Sequence, residues 1–466
     1  MATEKHTNNT ATESDNWVLW IVLALLFVVS ACGSQASETE AAEASEPVAE
    51  EVEATTAAPT TTETPTTTAP TTAAPTTTVP EIVADDEVVE TAAEVGTVVE
   101  SRFELTGEVD LTTEEINDMI EFVETAAGRE FLHPPRIEVL SIEEFEAGLV
   151  PDPELEAAIE DRSEANTRLY QALGFTDQGV EDFTTSLADL GRSTDFISGR
   201  YDPFDDVVLI PEGVLTGDEF NAILVHELLH ALDGQHVDLA GLLDRQAELI
   251  SSTVATDETF AIAAVIEGRA TAVQFDWMIA NNAFGSQSQE IPEVFNSVPA
   301  AAINSVLLPY QLGAQSITEL GGAAETWHLY DEFPESSEQM VFPSRIGTDA
   351  PIDVDAPEVD GEVFFEGTNG VEGVLVLGLG DTLQPDPALI FQILGAAEGW
   401  GGDYFILSGD ETQSCLTGNI VADTPEDLDE LESLFTGWAG RDTGATRTAT
   451  VQADMLTISS CAPFTA

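Results

Sequence analysis

The residues of this 466-residue chain that are best suited to chemistry lie at 226–230 (HELLH). This H-E-x-x-H pattern falls within 215–236, where the apolar residues have helical spacing. Residues four apart project from one face of a helix, so the imidazoles of His226 and His230 can bind one cation. Glu227 is rotated by about 100° from His226 around the helix axis, which places its carboxylate beside that cation. Two ligands and an adjacent base are what a zinc hydrolase needs to activate water.

The ends of this predicted helix have sequence signals of their own. Thr216 and Glu219 have the S/T-x-x-E spacing of a capping box, in which each side chain bonds a free backbone amide at the helix start. Gly234 is a suitable end, because glycine tolerates the left-handed backbone of a C-terminal cap. A capped helix is the context that H-E-x-x-H requires, and it favours a metal site over two unrelated polar histidines.

A third metal ligand is expected from a second long helix, predicted over 256–280. Glu267 lies on this helix among small apolar residues, so its carboxylate is predicted to point into the protein. Burial of a carboxylate is unfavourable unless it is paired or coordinates a metal. We therefore expect Glu267 to complete a zinc site. The alternative is a carboxylate that is neutralised by Arg269 or by another partner.

His236 is a second candidate for the third ligand. It follows His230 by six residues, the distance at which metzincins place their third histidine. Those enzymes have a glycine three residues after the second histidine, where the chain turns, and this chain has Asp233 there. The pattern therefore favours Glu267, and His236 would then support the site from one side.

The composition limits the classes of function. Acidic residues outnumber basic ones 87 to 13, which gives a formal net charge of -74. Nucleic-acid binding needs a basic surface, so we exclude it. Such a charge suits a surface that stays soluble at high ionic strength, where salt screens the mutual repulsion. Hydrophobic residues make up 43% of the chain, enough for a sizeable core.

The N-terminal segment has the features of an export signal. Residues 17–31 are apolar except for Ser30; they are too few for a comfortable membrane span but suit the apolar part of a signal peptide. The run ends in Val-Ser-Ala-Cys-Gly, which resembles a bacterial lipobox with Cys32 as the lipidated residue. The alternative is a short uncleaved anchor with an incidental cysteine, which the acidic residues before the run favour. Under both interpretations the rest of the chain is exported. We expect a lipid anchor in the cell membrane, with the protein on the extracellular face of that membrane.

The segment 33–80 consists almost entirely of Ala, Thr, Glu, Pro and Ser. Such a composition cannot bury enough apolar surface to fold, so we interpret the segment as a disordered stalk. The predicted organisation is a lipoprotein signal peptide over 1–32, this linker over 33–80, a domain with the metal site over 81–345 and a C-terminal α+β unit over 346–466.

Capping and periodicity predict the elements around the metal site. Helices are expected over 111–128, 155–173 and 180–190, and after a capping box of Ser141 and Glu144. Strands are expected over 136–140 and 206–210. The second of these strands comes directly before the H-E-x-x-H helix, which is the arrangement that zincins use to line a substrate cleft.

The C-terminal part predicts strands over 404–407, 415–422 and 445–459, and a helix over 423–439 with Thr424 as its cap. Adjacent strands would bring Cys415 and Cys461 together. In an exported chain these cysteines are expected to form a disulfide, with two buried free thiols as the alternative.

With these motifs the chain resembles known zinc peptidases. Residues 226–236 (HELLHALDGQH), followed by Glu267, Gly268 and Ala270, are similar to the gluzincin-like enzymes of the thermolysin superfamily. The chain more closely resembles poorly characterised exported H-E-x-x-H surface proteins and lipoproteins of actinobacteria and haloarchaea. That likeness rests on four further segments, 201–203 (YDP), 308–313 (LPYQLG), 336–339 (SSEQ) and 399–403 (GWGGD). A His-Pro that usually follows the third segment is Phe342-Pro343 here.

The resemblance implies an α+β fold with a zincin-like core: a short mixed sheet, the H-E-x-x-H helix and a second ligand helix. It implies a zinc-dependent peptidase that cleaves peptide or protein substrates at the cell surface. Its Zn²⁺ ligands would be His226, His230 and Glu267, and its catalytic base would be Glu227.

Two further residues of these motifs are open questions. Tyr310 is a candidate donor to the oxyanion of the reaction, and Glu338 has no role that its spacing assigns. The rival hypothesis is a non-catalytic surface protein that keeps a zincin fold for binding or for wall attachment. An intact Glu227 argues against this rival, because a binding module needs no base at that position.

Overall fold

The described part of the chain combines helices with two mixed β-sheets, and the expected α+β class is confirmed. The computed structural model describes residues 100–150, 153–194, 197–213, 217–283 and 293–466. The helices in these ranges are α1 (Thr113–Ala127), α2 (Ile142–Ala147), α3 (Pro153–Ala172), α4 (Val180–Gly191), α5 (Gly217–His236), α6 (Leu239–Ser251), α7 (Glu258–Asn281), α8 (Ala300–Glu319), α9 (Ser337–Val341), α10 (Gly370–Leu379), α11 (Pro387–Ala397) and α12 (Pro425–Ala439). The strands are β1 (Glu104–Thr106), β2 (Arg136–Leu140), β3 (Arg200–Asp202), β4 (Val207–Pro211), β5 (Val254–Ala255), β6 (Glu362–Gly367), β7 (Trp400–Gly409), β8 (Gln413–Ala422), β9 (Thr446–Gln452) and β10 (Met455–Pro463).

Local capping signals account for several helix starts. Thr112 and Glu115 form a capping box at α1, and Ser141 and Glu144 form one at α2. Thr424 caps α12 by accepting from the Asp427 amide. The caps at Ser141 and Thr424 were predicted, because each cap depends on residues only three positions apart. The expected cap of α5, Thr216, lies outside the described residues.

The predicted end of α5 at Gly234 is wrong, since the helix continues to His236. Gly234 lies in its last turn, and a Cβ there would be 2.4 Å from the Tyr201 hydroxyl oxygen. The glycine therefore makes room for an aromatic ring instead of ending the helix.

The first sheet has the order β1-β2-β4-β3. β1, β2 and β4 are parallel, and β3 pairs with β4 antiparallel, with Tyr201 opposite Val208. The strand before α5 is therefore internal and completely buried, and the expectation that it lines a cleft is wrong. The open edge beside it belongs to β3, which the sequence did not predict because a three-residue strand has too little pattern.

The helices α7 and α8 touch along their backbones. A Cβ on Gly313 of α8 would lie 2.4 Å from the Ala264 carbonyl oxygen, and one on Gly268 of α7 would lie 2.4 Å from the Gly313 carbonyl carbon. These two glycines permit the close approach, because they have no side chain to separate the helices. The contact brings Tyr310, three residues before Gly313, beside Glu267, one residue before Gly268.

The second sheet has the order β5-β6-β7-β8-β10-β9. Its edge strand β5 precedes α7 and pairs parallel with β6, with Val254 opposite Glu366. One apolar core includes residues from both sides of position 345, among them Phe260, Leu308, Trp400 and Phe435.

The single strand expected over 445–459 is wrong, because this segment contains β9, a turn and the first part of β10, which pair as a hairpin. Ala453, with φ of 59°, forms part of the turn between them. Cys415 and Cys461 lie directly opposite each other on β8 and β10 and form a disulfide.

No helix among the described residues is both long and apolar enough to cross a bilayer. The signal peptide, Cys32 and the linker over 33–80 lie outside the described residues and remain predictions.

Replacing Gly313 by Ala is expected to destabilise the protein. The new Cβ would press on the Ala264 carbonyl, and overpacking of this kind lowers the free energy of unfolding by about 1–3 kcal/mol. Urea unfolding followed by circular dichroism measures this change. Gly395→Ala on α11 is the matched control, because its Cβ would meet nothing within 4 Å. That control should raise stability by up to about 1 kcal/mol through helix propensity. An equal gain in both variants would contradict the proposed role of the glycine contact.

Candidate metal centre

Three side chains from two helices converge at one point of the fold. His226 and His230 project from one face of α5, and their Nε2 atoms lie 3.1 Å apart. Glu267 of α7 brings Oε2 to 3.4 Å from His226 Nε2 and to 3.2 Å from His230 Nε2. All three side chains are buried. The structure therefore brings together the three residues that the sequence singled out as ligands, which we call the trio.

The size and chemistry of the trio fit a zinc ion. Zinc binds imidazole nitrogen and carboxylate oxygen at about 2.0–2.2 Å, so two ligand atoms of a tetrahedral site lie about 3.3–3.5 Å apart. The three separations within the trio are 3.1, 3.2 and 3.4 Å. Three protein ligands leave one tetrahedral position for water or substrate, as in catalytic zinc sites.

Gln274 orients one of the imidazoles. His226 Nδ1 lies 3.3 Å from Gln274 Oε1, so this nitrogen donates and Nε2 keeps its lone pair for the trio. Sequence reasoning missed Gln274. It follows Glu267 by seven residues on the same face of α7, and this spacing is a signal that could have identified it.

The electrostatics of the trio favour a cation. Burial opposes the charged forms of both partners, but their mutual attraction raises the pKa of His230 to about 9 and lowers the pKa of Glu267 to about 2. Tyr310 donates a hydrogen bond to the Glu267 carboxylate, and its ring stacks on that of His226 with 6.2 Å between centroids. Burial and the nearby carboxylates raise the pKa of Tyr310 well above its usual range. Tyr310 is therefore a neutral donor beside the trio.

Glu227 lies beside the trio and is only 7% exposed. The backbone N–H of Tyr201 donates to its carboxylate. Burial raises the pKa of Glu227, and the charges of His226 and His230 partly oppose this increase. A carboxylate with a raised pKa is a stronger proton acceptor than an ordinary surface glutamate.

Arg200 of β3 is a second residue that sequence reasoning missed. Burial lowers the pKa of its guanidinium to about 9, while the carboxylates of Asp202 and Glu227 act in the opposite direction. Arg200 therefore supplies positive charge on the Glu227 side of the site. No sequence pattern marks it, because its position depends on how β3 pairs with β4.

Arg269 does not neutralise Glu267, which was one of the two alternatives to a ligand role; the other was neutralisation by a different partner. It pairs instead with Asp233 of α5: Arg269 Nε lies 2.9 Å from Oδ2 and Nη2 lies 3.0 Å from Oδ1, and neither side chain is exposed. Tyr330 donates to Asp233 Oδ2 at 2.6 Å, and Arg269 Nη1 donates to Thr326 Oγ1 at 2.8 Å. This pair is therefore saturated with hydrogen bonds, and it joins the two helices that carry the trio.

His236, the other candidate ligand, lies outside the trio. Its Nε2 atom donates to the Glu130 carbonyl oxygen at 2.9 Å, and its ring faces that of Trp327 with 5.5 Å between centroids. Because α5 continues past Asp233 without the metzincin turn, the His236 side chain is directed to other partners than those of His226 and His230.

The motifs at 399–403 and 336–339 make hydrogen bonds at the starts of two helices. Asp403, at the end of the 399–403 segment, accepts hydrogen bonds from Trp400 Nε1 and from the backbone N–H of Asn369, each at 2.9 Å. Asn369 directly precedes α10. The Ser336 hydroxyl accepts a hydrogen bond from the backbone N–H of Gln339 at 3.1 Å and so caps α9. These motifs therefore begin helices and have no contact with the trio in the part of the chain that the structure describes.

Glu338 belongs to a second acidic group with Asp349 and Asp423. This group surrounds Arg345, whose Nη1 lies 3.4 Å from Glu338 and 2.6 Å from Asp423. Burial raises the pKa of Glu338 to about 8, although Arg345 opposes this increase. Since an arginine already occupies its centre, the group is an ion-pair cluster.

Comparisons with protein-family models, with curated proteins and with solved structures give no match for this chain.

The Arg269–Asp233 pair is expected to be essential for stability. Arg269→Met would leave the buried Asp233 carboxylate without its cation, which costs about 3–5 kcal/mol of unfolding free energy. Urea unfolding measures this loss. Arg102→Met, which breaks a more exposed pair with Glu124, is the control and should change stability by less than about 1 kcal/mol. Similar small effects in both variants would show that the buried pair does not hold the helices together.

Proposed function

We propose that this protein is a zinc-dependent peptidase with a zincin-like core, in which His226, His230 and Glu267 hold Zn²⁺. The observation that carries the proposal is the convergence of their three ligand atoms, 3.1 to 3.4 Å apart, with the buried carboxylate of Glu227 beside them. A pair of imidazoles, one carboxylate ligand and a separate base is the donor set of a hydrolytic zinc site.

The bound zinc would supply Lewis acidity, which lowers the pKa of a coordinated water to about 7 and polarises a carbonyl. Glu227 accepts the proton of the attacking water and then passes it to the leaving amine. The Tyr201 amide orients the Glu227 carboxylate. Tyr310 is the proposed partner of the developing oxyanion, a role in which its single hydroxyl proton turns from Glu267 to the substrate.

The edge strand β3 supports a peptide as the substrate. It lies at the border of the first sheet, and its Tyr201 contacts Glu227 through the backbone. An extended peptide can pair with such an edge through main-chain hydrogen bonds, which would place its carbonyls near the trio.

We also propose that the protein is exported and anchored to the membrane by a lipid on Cys32, with the catalytic part on the extracellular face. The Cys415–Cys461 disulfide supports export, because disulfides persist in oxidising compartments and are rare in the cytosol.

Purified protein is expected to bind one zinc ion per chain. His230→Ala and Glu267→Ala each remove one of the proposed ligands and should abolish stoichiometric binding, because a zinc site with two protein ligands is incomplete. Elemental analysis after dialysis and competition with a chelator measure the stoichiometry and the affinity. His236→Ala is the matched control, since it removes an imidazole from the same helix outside the trio, and it should keep the metal.

Glu227→Gln is expected to keep zinc and to reduce peptide cleavage by about 10³-fold, because it removes the base and preserves the side-chain shape. Cleavage of a peptide library, read by mass spectrometry, provides the measurement. Glu248→Gln, on the exposed face of α6, is the control and should retain full activity. Stoichiometric zinc without any Glu227-dependent cleavage would instead support the non-catalytic surface protein.

A further inference from the structure

A cavity of about 180 Å³ adjoins the trio, with Glu267 and Tyr310 in its wall. Its lining comes from α6, α7, α8 and α10. Most of its wall is apolar and consists of Ile250, Phe260, Ala263, Val306 and Pro309.

The cavity extends along α7 away from the trio. Thr259 and Glu267 both line it and are eight residues apart on this helix, a distance of about 12 Å at 1.5 Å per residue. Gln246 also lines the cavity, and its Nε2 donates to the Thr259 carbonyl oxygen at 3.4 Å. Gln246 is therefore at the end of the cavity that lies away from Glu267.

Glu372 reaches the same end from α10. Its backbone N–H donates to Ser337 Oγ, and the Ser337 amide donates to Asp257, the residue that precedes α7. The cavity is therefore bounded by the trio at one end and by Gln246 and Glu372 at the other.

Neither of the two acceptor groups at this end has a cationic partner in the described ranges. Gln246 is 2% exposed, and its Oε1 atom has no hydrogen-bond partner in the described ranges. Across the same ranges, no Lys, Arg or His nitrogen forms an ion pair with the Glu372 carboxylate. Burial and the nearby Asp257 carboxylate raise the pKa of Glu372 to about 8. A cationic donor at this position would favour the ionised form of Glu372 and would bond to both acceptors.

Pro309 removes one backbone donor from the helix that forms this wall. Proline has no N–H, so within α8 it cannot bond the carbonyl of Ser305, four residues earlier. Ser305 lines the cavity as well. The cavity combines an apolar wall with the acceptors of Gln246 and Glu372, and its described lining includes no cationic side chain.

We propose that this cavity is a specificity pocket for a lysine or arginine side chain next to the cleaved bond, with Glu372 and Gln246 as the residues that bind its cation. The proposal rests on the peptidase function proposed above. Lysine and arginine have methylene stems that pack on apolar walls and charged ends that donate to carboxylates and amide oxygens. An apolar substrate side chain of the same length would leave Glu372 and Gln246 without donors, which is an effective basis for rejection. The net charge of -74 also attracts cationic substrates to the protein.

The test uses one fluorogenic peptide in which each position flanking the cleaved bond carries Lys, Arg, norleucine or Glu. For the zinc-loaded wild-type protein, kcat/KM should be about tenfold or more higher with Lys or Arg than with norleucine at one of these positions. Glu372→Gln should reduce this ratio by about tenfold, because a neutral amide no longer pairs with the cation. Glu362→Gln, at an exposed carboxylate on β6, is the matched control and should keep the ratio.

A binding measurement separates this proposal from the function on which it rests. Calorimetry with the zinc-loaded Glu227→Gln protein measures the affinity of the Lys and norleucine peptides without turnover. Glu227-dependent cleavage with no preference for Lys or Arg, or a preference that Glu372→Gln leaves intact, overturns the pocket and keeps the peptidase. Tighter binding of the Lys peptide without cleavage by wild-type protein overturns the peptidase and keeps the cation-binding pocket. If the protein neither cleaves the peptides in a Glu227-dependent way nor binds the Lys peptide more tightly than the norleucine peptide, both proposals are overturned.

Discussion

A buried guanidinium–carboxylate pair connects the two helices on which the candidate site depends. Arg269 lies two residues after Glu267, and Asp233 lies three residues after His230, so the pair is one turn or less from the trio on each helix. Its donors and acceptors are bonded to each other and to neighbouring side chains, which makes the pair compatible with complete burial. Because the pair fixes how α5 and α7 face each other, the distance from Glu267 to the two imidazoles is determined as well.

The second constraint acts on the other side of α7. The contact of Gly268 with Gly313 brings α8 to backbone distance, and Tyr310 is then within reach of Glu267. The same approach forms one wall of the cavity that continues from the trio. A local feature of two glycines therefore determines both the environment of Glu267, a proposed metal ligand, and the shape of the space next to it.

The acidic composition has different meanings at the surface and in the interior. On the surface, abundant carboxylates interact with water and salt, and their mutual repulsion is screened. In the interior, Asp233 and Glu267 have cationic partners, whereas Glu372 has none in the described part of the chain and its pKa is raised by burial. A carboxylate that lines a cavity without a cationic partner is therefore informative in a chain where acidic residues alone are not.

Sequence patterns determined those features that depend on neighbours within one or two helical turns. The alignment of His226 with His230, and the caps at Ser141 and Thr424, follow from helical geometry and from hydrogen bonds over three residues. The pairing of Cys415 with Cys461 was also predicted, although the segment before Cys461 forms a hairpin and not the single strand that was expected.

Only the tertiary structure decided which distant groups meet. From the chain alone, Glu267 could have been a ligand or a partner of Arg269, and His236 was also a candidate. The packing of α5 on α7 places Glu267 beside His226 and His230, Arg269 beside Asp233, and His236 away from the trio. The edge position of β3 and the acceptors at the end of the cavity were likewise not predictable. Contacts of this kind join segments tens of residues apart, and no short-range periodicity encodes them, since they depend on how the hydrophobic faces of whole elements pack together.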